Sequence, residues 1–97
     1  MKEIAQYLPY KAFPRADARR YFTVLLAVDY LKDKATIYYI GLLVGCTRSE
    51  AQRALYAAVL QFGVEFERPD SQRGHGYKIV SWGVLKKADV VRFMAKK

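Results

Sequence analysis

The sequence predicts a mainly α-helical chain that carries one small β-hairpin. Apolar residues recur at helical spacing in successive stretches as far as Phe62, the spacing changes to two after Gly63, and Gly, Pro and small polar residues fall at the joints between these stretches. With 97 residues, 53% hydrophobic and 27% charged, the chain is one domain's worth, 1–97, with enough apolar side chain for a core. A chain of this size buries roughly 60–65% of its unfolded surface, so a dimer interface would add useful stability.

The first fifteen residues form an arm. Pro9 and Pro14 punctuate it, and Tyr7, Leu8, Tyr10 and Phe13 are too apolar for a free tail, so the arm lies on the domain or on a second subunit. Residues 16–34 contain no Gly or Pro. Tyr21, Val24, Leu25, Val28 and Leu31 repeat at helical spacing there, with Asp17 near the start and Lys32 and Lys34 near the end, as the helix dipole favours.

Residues 36–62 read as two helices around a tight turn. Thr36 caps the first, in which Ile37, Ile40, Gly41 and Val44 share a face, and Gly45 stops it because glycine takes positive φ without strain. Gly45-Cys46-Thr47 is the turn. Thr47 followed by Glu50 forms a capping box that opens the next helix, whose inward stripe is Ala51, Ala54, Leu55, Ala58 and Phe62, with Gly63 as its terminal cap.

Residues 64–82 read as a hairpin. Val64 and Phe66 alternate with Glu65 and Glu67; Tyr77, Ile79 and Ser81 alternate with Lys78, Val80 and Trp82. The segment between, Arg68-Pro69-Asp70-Ser71-Gln72-Arg73-Gly74, has turn composition. Gly83 separates the hairpin from a last helix, 84–96, with two apolar flanks formed by Val84, Leu85, Val90, Val91, Phe93 and Met94. Packing or dimerisation is the expected use of those flanks; a basic amphipathic helix lying on a membrane surface is the other reading.

Seventeen Lys and Arg against nine Asp and Glu give a net charge of +8, which points to an anionic partner such as nucleic acid or an acidic protein. The excess sits at the carboxyl end, where Lys86, Lys87, Arg92, Lys96 and Lys97 face only Asp89, and in the first 35 residues; the hairpin is balanced. The single cysteine, Cys46, excludes an internal disulfide and a thiolate-rich metal site, so a reducing cytoplasm is expected. No apolar stretch is long enough to span a bilayer, and no export signal is visible.

The stretch Ile37-Tyr-Tyr-Ile-Gly-Leu-Leu-Val-Gly-Cys-Thr-Arg-Ser-Glu-Ala-Gln-Arg-Ala-Leu55 resembles the helix-turn-helix of bacterial and phage transcription regulators. Gly41 stands where a small residue lets the two helices cross, Gly45 matches the glycine of the turn, Cys46 its apolar position, and Ala51 and Leu55 the inward positions of the second helix. Followed by a hairpin, this is similar to a winged helix-turn-helix: a three-helix core, a wing and a carboxyl-terminal helix. The inward positions are richer in alanine than is usual for the family, and Glu50 places an acid at the start of the helix, where the capping box accounts for it. The resemblance implies double-stranded DNA as partner, read by the second helix in the major groove.

A helix fits the major groove, and its amino-terminal residues reach base edges when the turn before it lets it protrude. Arg pairs with guanine and Gln with adenine, which makes Arg48, Gln52 and Arg53 the expected reading set, with Ser49 and Tyr56 beside them at phosphates and Thr47 among the DNA-binding residues at the opening of the helix. A merely solvated helix face is the plain alternative. Arg68, Gln72, Arg73 and Lys78 are the expected wing contacts, provided that Glu65, Glu67 and Asp70 point away from the duplex. A plain hairpin with cross-strand ion pairs fits as well. His75 reads as a polar strand residue or a phosphate donor.

An enzyme is not expected. One Cys and one His supply no nucleophile, base and orienting group, and there is no phosphate-cradling glycine loop and no metal-ligand spacing, so no cofactor and no metal are expected. Glu65 and Glu67 read as a solvated strand edge, and Cys46 as packing in the turn. The expected function is sequence-specific DNA binding as a dimeric transcriptional regulator. A winged-helix module that holds another protein, and a plasmid or phage replication or partition protein, remain as alternatives.

Overall fold

The computed structural model describes residues 10, 13, 14, 17–70, 72, 74 and 76–95. The expected site residue Arg73, together with His75, Lys96 and Lys97, lies outside them, as does most of the arm. The protein is mostly helical, with a small two-stranded antiparallel sheet. In chain order the elements are α1 (Ala18–Leu31), a 3-10 turn (Lys32–Lys34), α2 (Ile37–Val44), α3 (Arg48–Phe62), β1 (Glu65–Glu67), β2 (Lys78–Ser81) and α4 (Lys87–Ala95).

Helix α1 starts where the Asp17 carboxylate accepts the Arg19 amide at 2.8 Å. It ends at Leu31, the last residue of its apolar repeat and three residues short of the expected 34, where Lys32 takes φ 53°, a positive value in a non-glycine residue, and a 3-10 turn follows. Val24, Leu25, Ala27 and Val28 are buried along α1, so this helix is the centre on which α2, α3 and α4 assemble. The described part of the arm does lie on the domain. Tyr10 joins the main core beside Val24 and Val28, and Phe13 packs with Leu26, Val90 and Met94.

Helix α2 is capped by the Thr36 hydroxyl and ends at Gly45, φ 76°. The Gly45 and Cys46 amides both donate to the Gly41 carbonyl, at 2.9 and 3.0 Å, and this folds the turn back onto α2. A Cβ at Gly41 would stand 2.8 Å from the Cys46 carbonyl oxygen. The small residue is therefore required by the turn, rather than by the approach of α3. The capping box is complete: Thr47 Oγ1 accepts the Glu50 amide at 3.1 Å, and Glu50 Oε1 accepts the Thr47 amide at 2.9 Å. Ala51, Ala54, Leu55 and Ala58 face the core, and Phe62 is only half-buried.

In the hairpin, Phe66 pairs with Ile79 and Glu67 with Lys78, with a register shift between Glu65 and Phe66. Phe66 and Ile79 turn inward onto the core while Glu65, Glu67, Lys78 and Val80 face solvent. A further contact anchors the returning limb: the Gly76 amide donates to the Asp33 carbonyl and the Tyr77 amide to the Ala35 carbonyl, each at 2.8 Å. This pins the hairpin to the link between α1 and α2. Helix α4 begins at Lys87, not at Val84: Val84 and Leu85 belong to a turn whose amides donate to the carbonyls of Phe62 and Trp82, and the helical pattern opens with the Val90 amide on the Lys86 carbonyl. An ion pair of 2.6 Å between Lys87 and Asp29 ties its start to α1.

Candidate nucleic-acid interface

The residues expected to read DNA are all solvent-exposed. Thr47, Arg48, Ser49, Gln52, Arg53 and Tyr56 stand on the outer side of α3, opposite the Ala51, Ala54, Leu55 and Ala58 stripe. They do not form one set. At 3.6 residues per turn Arg48 and Gln52 lie within about 40° of each other around the axis, whereas Arg53 is about 140° from Arg48. Two clefts divide the helix accordingly.

Gln52 faces the first cleft, of about 520 Å³, between α3 and β1, which it lines with Tyr56, Glu65, Phe66, Arg68 and Tyr77. Here a helix residue and a hairpin residue, Gln52 and Arg68, share one surface. Arg53 faces the other, of about 600 Å³, whose walls include Tyr10, Arg20 and Tyr21. Tyr56 lines both and forms the ridge between them.

Arg48 is held at the amino-terminal end. Its guanidinium lies over the Tyr38 ring, 5.4 Å from the centroid, and Tyr38 in turn meets Tyr39 edge-on at 5.3 Å. Sequence periodicity assigns these tyrosines no role; their exposure at the mouth of the turn adds two aromatic faces beside Arg48. No family model, curated protein or solved structure matches the chain.

The hairpin residues separate as well. Arg68 is exposed and has no hydrogen-bond or ion-pair partner among the described residues. Gln72 is exposed in the connecting segment, where its backbone N–H donates to Asp70 Oδ1 at 2.9 Å. Lys78 instead reaches the Asp33 carboxylate at 4.0 Å, on the side where the hairpin is anchored to the α1–α2 link. The acids are not all turned aside, since Glu65 lines the cleft with Gln52 and Arg68.

Toward its carboxyl end α3 becomes apolar on the outside: Tyr56, Val59 and Leu60 are 64%, 42% and 66% exposed. Its first half is thus polar and cationic, its second half aromatic and aliphatic. Among the described residues no group of three or more His, Cys, Asp or Glu could hold a metal ion, and no helix is long and apolar enough to cross a membrane.

Proposed function

We propose that this chain is a winged helix-turn-helix protein that binds double-stranded DNA in a sequence-specific way, with the first half of α3 in the major groove and the hairpin as its wing. The observation that carries the reading is the cleft shared by Gln52, Tyr56 and Arg68, which sets a base-reading side chain and an unpartnered cation from the hairpin on one face. The tight turn at Gly45 leaves Arg48 and Ser49 exposed at the leading end of α3, where a reading helix makes its base contacts. Arg48 and Gln52 have the donor geometry for guanine and adenine, and Arg53 and Tyr56 stand further round, where the phosphate backbone rises beside an inserted helix. A transcriptional regulator acting as a homodimer on two half-sites is the role these features suit, and the exposed Val84 just before α4 and Phe93 within it offer apolar surface for a subunit contact.

Selection of bound sequences from a random duplex pool at fixed salt tests the reading. An enriched motif, lost on Arg48→Ala and weakened on Arg53→Ala while circular dichroism stays unchanged, is the expected result; no enrichment by the parent protein rejects it. A second reading rests on the exposed Tyr56, Val59 and Leu60, which suit a protein partner seated on α3. Leu60→Ser distinguishes the two, since it leaves DNA affinity unchanged and abolishes a protein contact made there.

A further inference from the structure

We propose that the cleft between α1 and α3 is a binding site for a small aromatic anion, and that its occupant competes with DNA for Arg53 and Tyr56. The first half stands on the cleft alone; the second rests on the DNA-binding reading above.

The cleft, about 600 Å³, has the size of a small-molecule site. Three tyrosines, Tyr10, Tyr21 and Tyr56, contribute to its walls, and two guanidiniums, Arg20 and Arg53, face it from different elements. Arg20 is positioned from two sides: its Nε donates to the Phe13 carbonyl at 2.8 Å, and its guanidinium carbon lies 4.7 Å from the centroid of the Tyr10 ring. The Arg20 side chain also hydrogen-bonds Tyr10, so part of its fork is used and the remainder faces the cleft. Arg53 has no hydrogen-bond or ion-pair partner among the described residues. The lining holds one acid, Glu50, which also accepts the Thr47 amide in the capping box, so two guanidiniums against one carboxylate leave the cleft cationic on balance. Burial pushes the Tyr10 phenol up, with Arg20 opposing, so its hydroxyl stays a neutral donor and acceptor at the inner wall.

Paired guanidiniums recognise a carboxylate through charge-assisted, bidentate hydrogen bonds, and aromatic walls favour a flat ring over a saturated one. The ligand class is therefore an aromatic ring bearing an anionic group. Because Arg53 and Tyr56 also belong to the outer face of α3, an occupant drawing Arg53 inward removes a phosphate contact from the DNA-facing side.

The probe is 1-naphthoate, titrated by calorimetry against the full chain, with 1-naphthamide and cyclohexanecarboxylate as neutral and non-aromatic controls. Saturable binding with one site per chain is expected, with both controls and the Arg53→Ala protein weaker by about tenfold or more. Arg20→Ala also removes contacts to Phe13 and Tyr10, so Arg20→Lys, which keeps the charge but loses the fork, is its companion and should weaken binding without unfolding the chain. Equal binding of all three compounds, or none of 1-naphthoate, overturns the site. Arg48→Ala should lose DNA and keep 1-naphthoate. If DNA binding fails for the parent while the titration succeeds, the functional reading falls and the site stands; if both bind without displacing each other, the competition is refuted.

Discussion

The Arg48 guanidinium carbon lies 5.4 Å from the centroid of the Tyr38 ring, which joins the first residue of α3 to the exposed side of α2. A cation over an exposed ring is worth about 0.5–1 kcal/mol, enough to bias where Arg48 points but not to hold the fold. Tyr38→Leu should therefore leave thermal stability nearly unchanged and weaken DNA binding by no more than about fivefold. Arg48→Ala should cost more, about 1–3 kcal/mol if Arg48 reads a base as proposed. A gel-shift titration of both variants on one duplex checks this; an equal loss would show the ring itself to be a contact.

Gly83 is the most constrained backbone position for which a substitution is simple to interpret. It takes φ 64°, and a Cβ there would overlap the Phe62 carbonyl oxygen and the backbone of Gly63. Gly83→Ala should cost about 2–3 kcal/mol, lowering the melting temperature by about 8 °C or more. Gly45→Ala provides the contrast, since φ is 76° but nothing lies within 4 Å of the added carbon. It should cost about 1 kcal/mol, the backbone strain alone. Similar losses would mean that the Gly83 crossing relaxes freely.

These glycines also mark what could be read from the chain. Thr36, Gly45, the Thr47–Glu50 box and Gly63 act over three or four residues, and each helix boundary they predict is observed. Where the cause is distant, the pattern is silent. Lys32 ends α1 in a conformation ordinarily taken by glycine, and no local signal announces it. The pairing of Ala35 with Tyr77 is made by residues far apart in sequence, one of them in a stretch too short to show alternation. The outer face of α3 reads as one surface in the sequence, yet β1 and Tyr10, packing on either side of it, divide Gln52 from Arg53.

Asp17 gives the fold a pH signature. Hydrogen bonds from the Arg19 side chain, and then from its amide, hold the Asp17 carboxyl down at about 2. An unfolded Asp titrates at about 3.9, so the folded pKa is the lower one. The stabilisation is therefore complete above the unfolded value and is lost as pH falls through the folded value, a window from about 4 to about 2. Asp17→Asn retains a cap oxygen but cannot titrate. Denaturant unfolding should find the parent more stable at neutral pH and the difference shrinking below pH of about 4; a difference independent of pH would contradict the assignment.

Glu65 lines the same cleft as Gln52 and Arg68, and no positive charge from β2 stands opposite it, since its register partner is Ser81. A carboxylate there repels phosphate. Glu65→Gln should raise DNA affinity by about three- to tenfold at low salt, and the gain should shrink as salt screens the charge. A fall in affinity would mean that Glu65 accepts a base donor, such as the amino group of cytosine, and would move the reading surface toward the hairpin.

Arg68 and Lys78 are both hairpin cations, but their surroundings set them different tasks. Arg68 is unpartnered and shares the cleft of Gln52, whereas Lys78 pairs across the strands with Glu67 and reaches Asp33 beside the α1–α2 link. A cation that neutralises one phosphate releases counterions, so its removal flattens the dependence of log K on log salt by about 0.9. Arg68→Ala should show that change, with binding weaker on every duplex alike, because a phosphate contact carries no sequence information. Lys78→Ala should keep the parent's slope and affinity. Its exposed ion pair contributes about 0–1 kcal/mol, so its effect belongs in the anchoring of the hairpin and is read as a small loss of melting temperature. Fluorescence anisotropy on one labelled duplex between 50 and about 200 mM salt measures both slopes. If Lys78 carries the slope and Arg68 does not, the DNA lies on the opposite side of the hairpin, and the Gln52 cleft is not the interface.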